Sequence, residues 1–475
     1  MRKFKLVFPA IFLLCQLSFA TAANMAATFS RADLAAATTL RERALADSKA
    51  YELVASLTTE VGPRFAGTPG DKAAVGWAVR EMQRLGFANV RTSEALVGHW
   101  VRGEAEFAVV TPWPQAMPAA ALGGSIGTSS EGIEADAVMV QDVAALNALP
   151  PGAVRDRIVF FGNRMERTRD GSGYMRAVPV RATGPSAAAA LGAVGVVIRS
   201  IGTSDHRFPH TGATRYSQTA PRIPALAISN PDADALERQF ASGKPVRLRM
   251  NSSSRDLPPA RSANVIGEIA GSDLAHEIVI LAAHLDSWDL GVGALDNASG
   301  CAILMSVARL IRELDLKPRR TIRVVLFANE ESAQSGSIAY IAAHEAELPR
   351  HVLGFEADFG AGPVWRLSSR VNPAQVPAID QIHRALAPLK LVRGDNAARG
   401  GADLDGLAKL GMPLIEPGLD GTNYFDVHHT ADDTLARVDP GAIRQSVAAF
   451  AVSVWLGAQY PGTWERVITP KPERR

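Results

Sequence analysis

Hydrophobic residues recur along this chain with two periods, and the period shifts where the architecture is predicted to shift. Residues 34–57 and 71–85 carry apolar positions at helical spacing, with charges on the opposite side, so both read as helices. Val61-Gly62-Pro63-Arg64 is a turn between them, and Gly86 stops the second. Residues 90–97 and 106–110 read as strands. After a Gly- and Ser-rich stretch at 121–132, short β-type runs follow at 138–140, 158–161 and 194–198, with a helical segment at 187–191. A polar, Pro-containing connector at 252–259 ends this block. Beyond it come strands at 264–269 and 278–282. A helix at 298–314 has Ile303, Val307, Leu310, Ile311 and Leu314 on one face. A β-branched run at 321–327 fits a strand buried on both sides. A helix at 337–344 and a strand at 352–355 complete the pattern. Alternating strands and helices predict an α/β fold with a mixed β-sheet flanked by helices.

The block between 124 and 255 has its own strand and turn rhythm and no dense cluster of metal-type ligands, so it reads as an inserted, β-rich domain. The predicted division is 1–22 an export signal, 23–123 and 256–465 the two parts of the main domain, 124–255 the insert, and 466–475 a tail. The signal reading rests on Arg2, Lys3 and Lys5, then an apolar run at 6–19 too short to span a bilayer comfortably, then Ala20-Thr21-Ala22. No stable membrane anchor is expected. The chain has 475 residues, 47% hydrophobic and 21% charged, which is ordinary for a globular protein. A formal net charge of +2 gives no field that would point to nucleic acid. Of two cysteines, Cys15 leaves with the signal, so the mature chain keeps Cys301 and has no intrachain disulfide.

Candidate chemistry begins at His284-Leu285-Asp286. A two-residue step on extended backbone puts both side chains on one side, so His284 is placed to ligate a metal while Asp286 supports its ring. Asp296 precedes a helix, where it reads either as an N-cap or as a carboxylate bridging two cations. Glu330 and Glu331 end a strand, and adjacent carboxylates there repel unless a dication compensates them. One would bind metal while the other takes a proton from water. Asp358 follows another strand. His428-His429 comes near the end, with Asp433 placed to support the ligating ring. Ligands of this type and number suit paired zinc ions. A bridging water between two such ions loses its proton near neutral pH. Gly123-Gly124-Ser125-Ile126-Gly127 matches a nucleophile-elbow pattern, but the residues after it are unsuited to start the helix that motif needs.

The segments His284-Leu285-Asp286-Ser287-Trp288-Asp289, Gly293-Ala294-Leu295-Asp296 and His428-His429-Thr430 leading to Asp433-Thr434 resemble the carboxypeptidase Q family of co-catalytic zinc exopeptidases. So do Pro318-Arg319-Arg320-Thr321, His99-Trp100-Val101-Arg102-Gly103-Glu104, Ser125-Ile126-Gly127-Thr128, Pro209-His210-Thr211-Gly212 and Arg222-Ile223-Pro224-Ala225. The resemblance implies that His284 and Asp358 hold one zinc, Glu331 and His429 the other, and that Asp296 bridges them. It makes Glu330 the general base and Asp286 the residue behind His284, and it prefers His429 to His428. It further implies a protease-associated type of insert, a homodimer, and hydrolysis of dipeptides or short peptides. Asn297 departs from the acid found there in that family. Non-catalytic relatives and aminopeptidases acting on longer free-amine peptides are the competing readings. The residues that bind the peptide terminus are open, with Tyr424 and the Arg399-Gly400-Gly401 loop as candidates.

Overall fold

The computed structural model describes residues 28–467, so the export signal expected at 1–22 and most of the expected tail lie outside the described residues. The first sheet has eight strands. Their order is Ala88–Val101, Arg255–Ile269, Arg320–Phe327, Leu274–His284, His351–Glu356, Leu414–Leu419, Val364–Arg370 and Val392–Arg393. Arg320–Phe327, Leu274–His284, His351–Glu356 and Leu414–Leu419 run parallel, and antiparallel strands flank them. The sheet is mixed, as the alternation of strands and helices implied.

The central strand shows why it is buried twice over. Val279, Leu281 and Ala283 face the helical core, while Ile278, Ile280 and Ala282 face Phe327, Tyr340 and Leu404 on the other side. The first face is covered by the helices Arg31–Leu45, Lys49–Glu60, Ser299–Glu313 and Pro440–Gln459. Among the described residues, one helical stretch, Ala294–Glu313, is long and apolar enough to cross a membrane, and it is buried inside this core.

Four details differ from the sequence reading. The helix expected at 34–57 is two helices, broken after Leu45, with Ser48 beginning the second. The helix Pro440–Gln459 was not foreseen: it is buried on nearly every side, so it carries no polar stripe to set a period. The second sheet begins earlier than residue 124. Its order is Gln115–Met117, Ala105–Thr111, Arg247–Ser252, Ile133–Val140, Ile158–Phe161, Gly195–Arg199, Ala225–Ile228 and Ala119–Ala121. Ala105–Thr111 pairs with Arg247–Ser252, and Ala119–Ala121 with Ala225–Ile228. A strand joins the sheet that supplies its hydrogen-bond partners, which local pattern does not encode. This unit also has helices, Ser172–Ala182, Gly184–Ala190 and Asn230–Ala241 among them, so it is α/β rather than mainly β.

Candidate metal centre

The parallel strands end on one side, where ligands collect in α/β sheets. His284 closes the strand Leu274–His284 beside Phe327 of its neighbour. Glu330 and Glu331 follow that neighbour past Asn329, whose φ is +56°. Asp358 lies two residues past His351–Glu356. Asp296 sits in an irregular, extended segment before the helix Ser299–Glu313, and Ala298 takes the cap position, so Asp296 is not spent as an N-cap. His429 is held at a φ of +63° after the turn Tyr424–Asp426.

Asp296 is the meeting point. One of its oxygens lies 3.1 Å from His284 Nε2, which is also 3.2 Å from Asp358 Oδ1. Its other oxygen lies 3.2 Å from His429 Nε2, which is 3.0 Å from Glu331 Oε2. Five of the residues named from the sequence therefore converge, His284, Asp296, Glu331, Asp358 and His429, with Glu330 lining the same cleft and Asp286 behind them. His428 also reaches Asp296, at 3.4 Å, with its ring stacked on His429 at 3.5 Å.

A surrounding layer holds these groups in place. Asp286 accepts the backbone N–H of Glu330 at 3.1 Å and of Glu331 at 3.4 Å, and its carboxylate lies 3.5 Å from His284 Nδ1. It thus couples the histidine to the glutamate pair. His429 Nδ1 faces the Thr211 carbonyl at 3.2 Å, which leaves Nε2 for a metal. Asp433 was expected behind the ligating histidine, and the structure places it elsewhere. Its oxygens accept the N–H groups of Leu295 at 2.7 Å and Asp296 at 3.1 Å, so it orients the segment that carries Asp296 instead. The turn between residues 430 and 433 carries it across to that loop. Asn297 donates to the Ala357 carbonyl at 2.8 Å and accepts from Gly300 N at 3.0 Å; an ionised acid could make only the second bond.

Sequence reasoning missed several contributors. Arg64 is fully buried, and its guanidinium donates to the carbonyls of Leu285, Val292 and Gly293, tying the two ligand loops together. Its only sequence signal was the turn that contains it. Arg102 forms a forked pair with Asp289, and its Nη1 donates to Thr211 Oγ1 at 2.7 Å. Glu356 accepts N–H groups from Asp403 and Leu404, and Asp403 is buried beside it. Tyr424 lines the cleft, whereas Gly400 and Gly401 line a smaller pocket beside Asp358. Ser125 is buried, accepts from Ala225 N, and is followed by no helix, so it is a structural crossing.

The electrostatics are those of excess buried negative charge. Burial raises Glu331 to about 7, and Asp296 adds to the rise while His429 opposes it. Glu330 is pushed well above the carboxylate range by burial, then by Asp358, Glu331 and Asp286 against His284. Burial would depress His429, yet Glu331 and Asp296 outweigh it and hold the ring at about 10. Burial likewise opposes the His284 imidazolium, and Asp358, Asp286 and Asp296 lift it well above its ordinary value. Protons on these rings occupy the place that divalent cations are suited to fill. Glu331 Oε1 is buried without a hydrogen-bond partner, as a carboxylate awaiting a metal contact would be. Imidazole and carboxylate donors in two overlapping groups, His284–Asp296–Asp358 and Asp296–His428–His429, fit zinc.

Comparison with known proteins agrees. The model of "Peptidase family M28" matches residues 264–454. Carboxypeptidase Q of Mus musculus is 30% identical over 86% of this chain and 86% of its own length. Its Rattus norvegicus counterpart is 31% identical over 86% of this chain and 85% of its own. A peptidase M28 precursor from Shewanella amazonensis is 42% identical in sequence, with a TM-score of 0.90 over 93% of this chain and 99% of that one. A zinc aminopeptidase from Bacillus subtilis shares the fold at 20% identity, with a TM-score of 0.61 over 86% of this chain and 94% of that one. The chain belongs to peptidase family M28 and is a metallo-exopeptidase of that family.

Proposed function

We propose that the protein is an exported exopeptidase that uses two zinc ions per subunit to hydrolyse dipeptides or short peptides. The observation that carries this reading is the position of Asp296, whose two oxygens face two separate donor pairs. His284 and Asp358 would hold one ion, His429 and Glu331 the other, with Asp296 between them. When bound, two such dications supply Lewis-acid charge that acidifies water and polarises a peptide carbonyl.

The remaining work falls to the chain itself. Glu330 faces the cleft beside these ligands and accepts a proton from the attacking water, then delivers it to the leaving amine. Asp286 keeps Glu330 and Glu331 in register with His284 through three contacts of one carboxylate. Asp433 and Thr211 fix Asp296 and His429 from behind. Trp288, stacked on Phe65 at 4.7 Å and 5.6 Å from the His429 ring, closes one side against water. We further infer that residues between about 105 and 252 form a protease-associated type of insert, that residues 1–22 are a removed export signal, and that the enzyme works as a homodimer without a stable membrane anchor.

The test is a panel of free dipeptides, N-blocked peptides and free-amine amides, offered to metal-stripped and zinc-restored enzyme. Hydrolysis that returns with two equivalents of zinc supports the reading. Cleavage of N-blocked substrates marks a carboxypeptidase, and cleavage of long free-amine peptides an aminopeptidase. A lack of any hydrolysis by zinc-loaded protein would make it a non-catalytic relative.

A further inference from the structure

The cleft over the acidic cluster has a volume of about 460 Å³, within the size range of small-ligand sites, and two unlike walls. One wall carries Asp296, Glu330, Glu331 and Asp358 from the catalytic half. The other comes from the insert: the helix Ser172–Ala182 and the turn after Ala213. Met175, Val178 and Arg181 follow one another along that helix at steps of three, so they share the face turned to the cleft. The lining residues of this wall include no acid, and Arg181 and Arg215 are its charges.

Arg181 is buried and, among the described residues, forms no ion pair with an acid, which is unusual for an arginine. Its guanidinium donates to Tyr174 Oη at 2.7 Å and to the Thr211 carbonyl at 3.3 Å, and its Nε has no hydrogen-bond partner. Thr211 is the residue whose carbonyl also meets His429 Nδ1, so this charge is tied to the ligand framework itself. Gly212 admits it: a Cβ there would lie 2.3 Å from Arg181 Nη1. Arg215 is exposed, and among the described residues its guanidinium makes no ion pair or hydrogen bond. A cationic wall therefore faces an acidic one. Once cations neutralise the acids, the charge on the insert side stands uncancelled.

We propose that Arg215, backed by the buried charge of Arg181, receives the free α-carboxylate of a short peptide whose scissile amide lies over the acidic cluster. A guanidinium pairs with a carboxylate through two parallel hydrogen bonds, which fixes direction as well as position. The inference rests on the exopeptidase reading and extends it by naming the terminus that is read and the residue that reads it. Arg215 is the contact residue. Arg181 is a positioning residue that holds the wall and supplies field.

The test compares an apolar dipeptide with its C-terminal amide, using the full zinc-restored chain. Wild type is expected to prefer the free acid by roughly 10- to 100-fold, the factor that one charge-assisted hydrogen-bond pair supplies. Arg215→Met should erase that preference by raising KM for the acid, with kcat and all kinetics of the amide within about twofold of wild type. Arg215→Lys should restore part of it. Calorimetry of the intact dipeptide on zinc-loaded Glu330→Gln protein gives a readout apart from turnover, and adding Arg215→Met there should weaken binding about tenfold while binding of the amide changes far less. Equal cleavage of acid and amide by wild type, or an equal loss of both in Arg215→Met, overturns the inference and leaves the exopeptidase reading standing. If zinc-restored wild type cleaves neither, the exopeptidase reading fails and this inference falls with it.

Discussion

Replacing Asp433 by asparagine probes the least expected part of the site. The carboxylate is buried, and each oxygen accepts one backbone N–H, at 2.7 Å from Leu295 and 3.1 Å from Asp296. Asparagine keeps the shape but turns one acceptor into a donor that faces an N–H. The exchange loses one charge-assisted hydrogen bond, about 1.5–3 kcal/mol, and leaves a buried N–H unpaired, a further ~1–3 kcal/mol. The strain falls on the loop that carries Asp296, so metal binding should weaken by roughly 10- to 100-fold, the usual cost of removing a group that orients a ligand. Zinc affinity is measured by competition with a chromogenic chelator, and stability of the metal-free protein by urea unfolding. Asp432→Asn is the control, because that neighbouring carboxylate pairs with Arg437 outside the core. If Asp433→Asn binds zinc within about twofold of wild type and unfolds at the same urea concentration, Asp433 does not hold Asp296 in place and the reasoning is wrong.

Three further outcomes are expected. Glu330→Gln should lower kcat by about 10²–10⁴ while zinc content stays at the wild-type value; normal turnover would remove Glu330 from the role of base. Metal-free protein holds extra protons, since Glu331 and Asp433 are raised to about 7 and His429 to about 10, all above their unfolded values. The stability these groups contribute is present at low pH and is lost as pH rises through those values, and cations displace the same protons. Zinc affinity should therefore climb between about pH 6 and 8 with release of about one proton or more at pH 7, read by calorimetry in buffers of different ionisation enthalpy; pH-independent binding would contradict this. Gly123→Ala would place a Cβ 2.0 Å from the Trp288 ring, so it should destabilise the fold by about 1–3 kcal/mol in urea unfolding and disturb the wall beside His429.

Some of this protein was legible in its one-dimensional pattern, and some was not. The strand at 278–282 and the β-branched run at 321–327 announced buried parallel strands, because burial on both faces leaves an uninterrupted apolar run. His284, Glu330, Glu331 and Asp358 could be named in advance because each follows such a strand, where the chain must turn and expose a side chain. Asp433 was found but misassigned, since nearness in sequence to His429 says nothing about the loop it reaches after the turn. Arg64, Arg102 and Arg181 were out of reach for the same reason: their partners lie in segments far along the chain. The specificity wall was hidden further, because the helix Ser172–Ala182 contains Pro179 and begins after a left-handed glycine, which blurs its period. Local sequence thus determined which residues had the chemistry for a metal and where the strands ran. Only the tertiary structure decided which carboxylate oxygen meets which imidazole and which charges face each other across the cleft, because those are distances between segments, set by packing.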